Sequence, residues 1–252
     1  LNIQGYLTVP SGTSGKNLPT VILVHGGPTS RDYWGYRADV QLLASRGYAV
    51  LQVNFRGSWG YGKNFTTAGF KQWGKKMQDD ITDGATWLVD QGVADKDKIA
   101  IFGSSYGGYS ALAGVTFTPD VYACGIAYVG PSNLFTLLNN LPSYWEPEKE
   151  MLFEMIGHPV ADSVLLYNAS PVFHTENIKV PLFIAQGGND PRVRKEESEQ
   201  MVDALRSRDQ HVVYMLKENE GHGFKLEENR LEFYKAMMGF LAEQMPATSI
   251  KP

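Results

Sequence analysis

The sequence holds a single cysteine, Cys124, so an internal disulfide is impossible and a fold stapled by cross-links is excluded. That thiol lies in the apolar run Val121 to Val129, which reads as a core strand, so a buried inert side chain is expected rather than a nucleophile. The lack of disulfides suits a reducing compartment, and a bacterial periplasmic domain would look the same, so the compartment stays open between cytoplasm and periplasm. No stretch approaches the roughly 18 apolar residues needed to span a membrane, and the chain reads as soluble. Neither sign of charge dominates, since 23 Lys and Arg against 27 Asp and Glu leave a net charge of -4. Without a basic stripe there is no support for nucleic-acid or anionic-membrane binding. The five histidines show no His-x-x-x-His or clustered His/Cys spacing, which argues against a zinc hydrolase, and neither metal nor cofactor is expected. Internal repeats and low-complexity linkers are missing too. The start, Leu1-Asn2-Ile3-Gln4-Gly5-Tyr6, carries no signal-peptide pattern and no Met. It reads as the middle of a strand, so a fragment or a processed product is expected.

What is present is enough apolar material for one large core: 43% hydrophobic and 12% aromatic in 252 residues. Strand-like runs fall at Val21–Val24, Ala49–Val53, Ile99–Phe102, Cys124–Val129, Leu182–Ala185 and Val212–Leu216. Helix-like segments at 36–46, 79–91, 106–115, 196–208 and 227–244 lie between or after them. That alternation predicts an α/β fold, a mostly parallel sheet with helices on both faces, as a single domain over residues 1–252. One long interruption, about 131–170, is rich in aromatics, proline and acids and is expected to form a small helical insert over the site. Its Tyr144, Trp145, Met151, Phe153 and Met155 suit an apolar pocket and suit a core equally well.

The chemistry concentrates at Gly103-Ser104-Ser105-Tyr106-Gly107-Gly108, between an apolar run and a helix-compatible segment. Gly-x-Ser-x-Gly at such a junction places a serine on a sharp elbow, at a helix N-terminus that favours developing negative charge. Serine needs a base, and His222 is offered by the Gly-flanked loop Glu220-Gly221-His222-Gly223-Phe224. Asp190, in Gly187-Gly188-Asn189-Asp190-Pro191, is the carboxylate that would orient the base. Each of the three follows a strand-like run, and the order Ser, Asp, His is the one α/β-hydrolases use. His25 opens His25-Gly26-Gly27-Pro28 and is expected to brace that loop, whose Gly27 N–H would join the N–H of Tyr106 in an oxyanion hole. His158, His174 and His211 read as surface or capping residues.

Five segments together resemble the catalytic domain of the prolyl oligopeptidase family, nearest its acylaminoacyl-peptidase-like branch. They are His25-Gly-Gly-Pro, Asn54-Phe-Arg-Gly-Ser-Trp-Gly-Tyr-Gly62, Gly103-Ser-Ser-Tyr-Gly-Gly-Tyr109, Gly187-Gly-Asn-Asp-Pro-Arg-Val193 and Glu220-Gly-His-Gly-Phe224. The resemblance implies an α/β-hydrolase fold and serine peptidase chemistry on Ser105, His222 and Asp190. It also implies Tyr61 as a further oxyanion donor, with packing of its loop as the alternative. Arg192 would hold a substrate carbonyl, or serve as an ordinary surface cation, and Val193 would wall the first specificity pocket. The family's β-propeller is missing from this chain, so a propeller in a longer parent chain is one expectation and a free-standing enzyme the other. The expected substrate is a short or acylated peptide; alternatives are a carboxylesterase for small esters and, from another class, a silent binding domain. An oligomer is left open.

Overall fold

The computed structural model describes residues 1–247 as a seven-stranded sheet flanked by helices. The strands are β1 (Gln4–Thr8), β2 (Leu18–Val24), β3 (Ala49–Asn54), β4 (Ala94–Ser104), β5 (Cys124–Tyr128), β6 (Leu182–Gly187) and β7 (Val212–Lys217). The helices are α1 (Ala38–Ser45), α2 (Lys63–Thr67), α3 (Lys76–Asp90), α4 (Tyr106–Phe117), α5 (Leu134–Asn139), α6 (Lys149–Met155), α7 (Ser163–Asn168), α8 (Lys195–Arg206) and α9 (Glu227–Gln244). Spatial strand order is β1-β3-β2-β4-β5-β6-β7, with β1 antiparallel and every other pairing parallel. This is the α/β-hydrolase fold.

Parallel strands buried on both faces read as continuous apolar runs, and their side chains still alternate between two cores. Ile22, Val24, Ile99 and Ile101 face α3, α4, α8 and the insert, where they meet Ile81, Leu112 and Met201. Their neighbours Val21, Leu23, Ala100 and Phe102 face the opposite way, onto Leu43 of α1 and Phe233, Met237 and Phe240 of α9. Cys124 belongs to that second core, fully buried, and burial pushes its thiol up to about 12, which leaves it without thiolate character.

The sequence reading shortened β4, which begins at Ala94 and shifts its register against β2 between Leu18 and Thr20. It also gave no helix to Lys63–Thr67, because a Gly-rich run masks it. The insert does consist of short pieces, α5, α6 and α7 with 3-10 turns at Ser143–Glu148 and Pro171–Asn177.

Candidate active site

Ser105 stands between the last residue of β4 and the first of α4, with φ 59° and ψ -119°, a strained backbone for a residue with a side chain. The two flanking glycines explain how the turn closes. A Cβ on Gly103 would sit 2.6 Å from the carbonyl oxygen of Val24, and one on Gly107 would overlap that same oxygen. Both positions are therefore closed to any other residue at this spacing of strand and helix. The N–H of Ser105 donates to the Tyr128 carbonyl at 2.9 Å, which fixes the elbow to β5.

His222 and Asp190 converge on this elbow from the loops after β7 and β6, at the carboxyl ends of the parallel strands. His222 Nε2 lies 3.0 Å from Ser105 Oγ, and Nδ1 lies 2.7 Å from Asp190 Oδ2. An ionised carboxylate only accepts, so Nδ1 carries the proton toward Asp190 and Nε2 is left to accept from the serine hydroxyl. The Asp190 side chain is completely buried. Its Oδ1 accepts the backbone N–H groups of Arg192 at 2.9 Å and Val193 at 3.0 Å, which orients the carboxylate and meets part of the desolvation cost.

Around Ser105 lies a cavity of about 70 Å³ lined by Gly27, Tyr106, Trp73, Leu137, Trp145, Met155, Arg192 and Val193 among others. Tyr106 is the first residue of α4, so its N–H has no partner inside the helix, and the N–H of Gly27 joins no hydrogen bond among the described residues. The Tyr106 side chain turns into the core against Phe55 and Trp73. His25 is buried under the Gly27 loop, with Nδ1 donating to Gly26 O at 2.8 Å and Nε2 at 2.9 Å from Ser58 Oγ. Burial holds its imidazole below the ordinary value, so it braces the loop in neutral form.

Tyr61 is not among the cavity's lining residues. Its hydroxyl accepts from Asn54 Nδ2 at 2.8 Å, and the Arg31 guanidinium stacks over its ring at 4.4 Å. Arg192 is exposed at the cavity mouth, 5.9 Å from the Trp145 ring, and Val193 is buried in the wall. From the insert, Trp145 and Met155 reach the cavity; Tyr144 and Met151 are exposed, and Phe153 packs on His158. Sequence reasoning missed Trp73, Leu137, Leu141, Leu152 and Ile156, which also line the cavity but sit in no recognisable motif. A larger hollow of about 330 Å³ lies between β1 and α3; its titratable lining is Asp83 and Asp80, the latter paired with Arg56, with no serine, cysteine or histidine beside them.

The Prolyl oligopeptidase family model matches residues 34–248. The chain belongs to the prolyl oligopeptidase family. It is 49% identical over 250 residues to dipeptidyl aminopeptidase BIII of Pseudoxanthomonas mexicana, a match covering 96% of this chain and 36% of that protein. Among solved structures, a puromycin-hydrolyzing peptidase of Mycobacterium tuberculosis superposes with a TM-score of 0.91 at 30% identity, over 99% of this chain and 38% of that one. An acylaminoacyl peptidase in complex with Z-Gly-Gly-Phe-chloromethyl ketone gives 0.89 at 26% identity, over 100% of this chain and 41% of that one. The prolyl oligopeptidase domain therefore spans little more than a third of the length of these relatives. Among the described residues, no helix is long and apolar enough to cross a membrane.

Proposed function

We propose that this chain carries out acyl transfer on short peptides, as a serine peptidase with Ser105 as nucleophile, His222 as base and then acid, and Asp190 as the group that orients it. The observation that carries the reading is the unbroken hydrogen-bonded run from Ser105 Oγ through His222 to the buried Asp190. Ser105 attacks the substrate carbonyl while Nε2 takes its proton. The N–H groups of Gly27 and Tyr106, two residues of the same cavity whose amides meet no other acceptor among the described residues, stabilise the oxyanion. His222 then returns the proton to the leaving amine, and water attacks the acyl-enzyme by the reverse route.

The cavity suggests the substrate class. Its lining is apolar except for the serine and for Arg192 at the mouth, so a neutral, apolar residue on the acyl side fits and a lysine or glutamate does not. On this reading Arg192, exposed at the mouth, donates to a substrate carbonyl.

The test is hydrolysis of an acetyl-leucyl anilide and of 4-nitrophenyl acetate by the wild type and by Ser105→Ala. Both activities should fall by at least roughly ten-thousandfold in the variant, with an unchanged circular dichroism spectrum. A variant that kept most of either activity would overturn the assignment. Turnover of the ester alone by the wild type would point to an esterase on the same residues, or to a peptidase domain separated from the part that recognises its substrate.

A further inference from the structure

Glu197, in the first turn of α8, is 3% exposed and pairs with no cation among the described residues; Lys195, two residues earlier, turns instead to Glu199 and Glu218. Burial pushes its carboxyl above the ordinary glutamate range, against the pull of the groups that donate to it. Those donors come chiefly from one place. Oε2 accepts the backbone N–H of Ser132 at 3.0 Å and of Asn133 at 2.9 Å, and Nε2 of Gln200 at 3.2 Å, while Oε1 accepts the hydroxyl of Thr136. The Glu197 carbonyl also accepts Ser132 Oγ at 2.6 Å.

The Ser132–Thr136 turn opens the insert and lies between Pro131 and Leu137, two residues of the cavity at Ser105. On the other side, Glu197 follows by four residues Val193, which lines the same cavity and whose N–H holds Asp190. One buried carboxylate thus joins two segments that are far apart in sequence and contribute different parts of the cavity wall. A buried charge without a cation is a poor way to gain stability, since an apolar side chain of like volume generally serves as well or better. What the carboxylate supplies that leucine would not is a fixed geometry for four donors at once.

We propose that Glu197 is a specificity-determining positioning residue: through the Ser132–Thr136 turn it sets the placement of Pro131 and Leu137 relative to Val193, and so the shape of the acyl-side pocket. This rests on the reading that the cavity takes the acyl-side group. The residue does not line the cavity and makes no hydrogen bond to Ser105, so its removal acts on fit and leaves the chemistry at small acyl groups intact.

The experiment compares wild type, Glu197→Leu and Glu197→Gln on acetyl-leucyl anilide and on the 4-nitrophenyl esters of acetate and hexanoate. Glu197→Leu should raise KM for the anilide and the hexanoate about tenfold with kcat within about threefold, and leave the acetate within about twofold. Glu197→Gln keeps a carbonyl acceptor of the same shape and should recover most of the lost KM. Equal losses on acetate and hexanoate would make Glu197 a support of the whole fold and overturn the proposal, as would an unchanged KM on hexanoate. A wild type that cleaves no anilide bears on the peptidase reading alone, and the two esters still decide the role of Glu197. Should Glu197→Leu not fold, Thr136→Val removes one donor and is expected to raise the hexanoate KM about threefold with the acetate unchanged; no rise overturns the proposal.

Discussion

The elbow at Ser105 and the insert at 131–170 both border the same cavity, but they are held by different means. The elbow is fixed by main chain against main chain: Gly103 and Gly107 each meet the Val24 carbonyl, and the Ser105 amide binds the Tyr128 carbonyl. The insert is fixed by side chains from elsewhere: Glu197 at its start, Tyr109 Oη on the Ala169 carbonyl at 2.7 Å near its end, and Lys71 on Asp162 between them. Backbone sterics leave almost no freedom of residue choice, whereas a side-chain tether can be moved or replaced. Ser105 stands on the first kind of support and much of the pocket wall on the second, which lets pocket shape change without moving the serine.

The largest effect that follows is at the elbow. Gly107→Ala would put a methyl group into the Val24 carbonyl, which belongs to a central strand and has nowhere to go. Overpacking of this kind is expected to cost about 3 kcal/mol, and the displaced serine roughly a hundredfold in kcat or more. Urea unfolding and ester hydrolysis measure the two losses. A variant with wild-type values would show that the elbow is as adaptable as the insert.

The His222 loop lies between these extremes. Tyr128 Oη accepts the Phe224 N–H, and the Glu220 carboxylate gathers the N–H groups of Lys225 at 2.8 Å and Leu226 at 2.9 Å with Asn229 Nδ2 at 2.9 Å. Burial alone would raise the pKa of Glu220, but these donors outweigh it and hold the carboxyl below its ordinary value. A carboxylate depressed in the native state stabilises fully above the unfolded value of 4.5, and that contribution is lost as the pH falls through the native value. Glu220→Ala should therefore lower Tm most at neutral pH, by the equivalent of about 1–3 kcal/mol, and progressively less below about pH 4. Thermal melts from pH 7 to pH 3 test this. An equal loss at every pH would mean that the side chain contributes packing alone.

How much was legible in the sequence divides along the same line. Ser105, Asp190 and His222 sit in Gly-flanked loops directly after strand-like runs, and the structure brings all three into one hydrogen-bonded run. The core strands were readable because burial on both faces leaves a continuous apolar run, and α9 because Phe233, Met237, Phe240 and Leu241 recur at helical spacing. The pocket wall was not readable. Trp73 and Leu152 reach the cavity through tertiary contacts that no local pattern encodes, and Trp145 and Met155 look no different in sequence from exposed Tyr144 and Met151. Arg192 and Val193 were read for their side chains, while their amides do a second task on Asp190 that residue identity cannot reveal. Nothing in the sequence separates Glu197 from the other acids of α8; only its burial does.

The smallest expected effect is at the middle of the insert, and it sharpens the contrast. Lys71 takes a left-handed backbone at φ 56° and gives its N–H to the Met155 carbonyl at 2.7 Å, while its Nζ reaches Asp162 Oδ2 at 2.7 Å. Asp162 also accepts the His158 N–H at 2.8 Å, so the pair ties the loop after α6 to the body of the domain. The side chains are 42% and 22% exposed, so water and salt screen the pair and it is worth about 1 kcal/mol at most. Lys71→Met keeps the backbone hydrogen bond and removes the charge alone. It should lower Tm by no more than about 2–4 °C, a difference that vanishes in 1 M salt. Proteolysis between residues 149 and 162 should speed up while hydrolysis of 4-nitrophenyl acetate stays at the wild-type rate. If acetate turnover fell in step with protection of the insert, the two supports would be coupled, and the insert would belong to the catalytic frame rather than to the pocket.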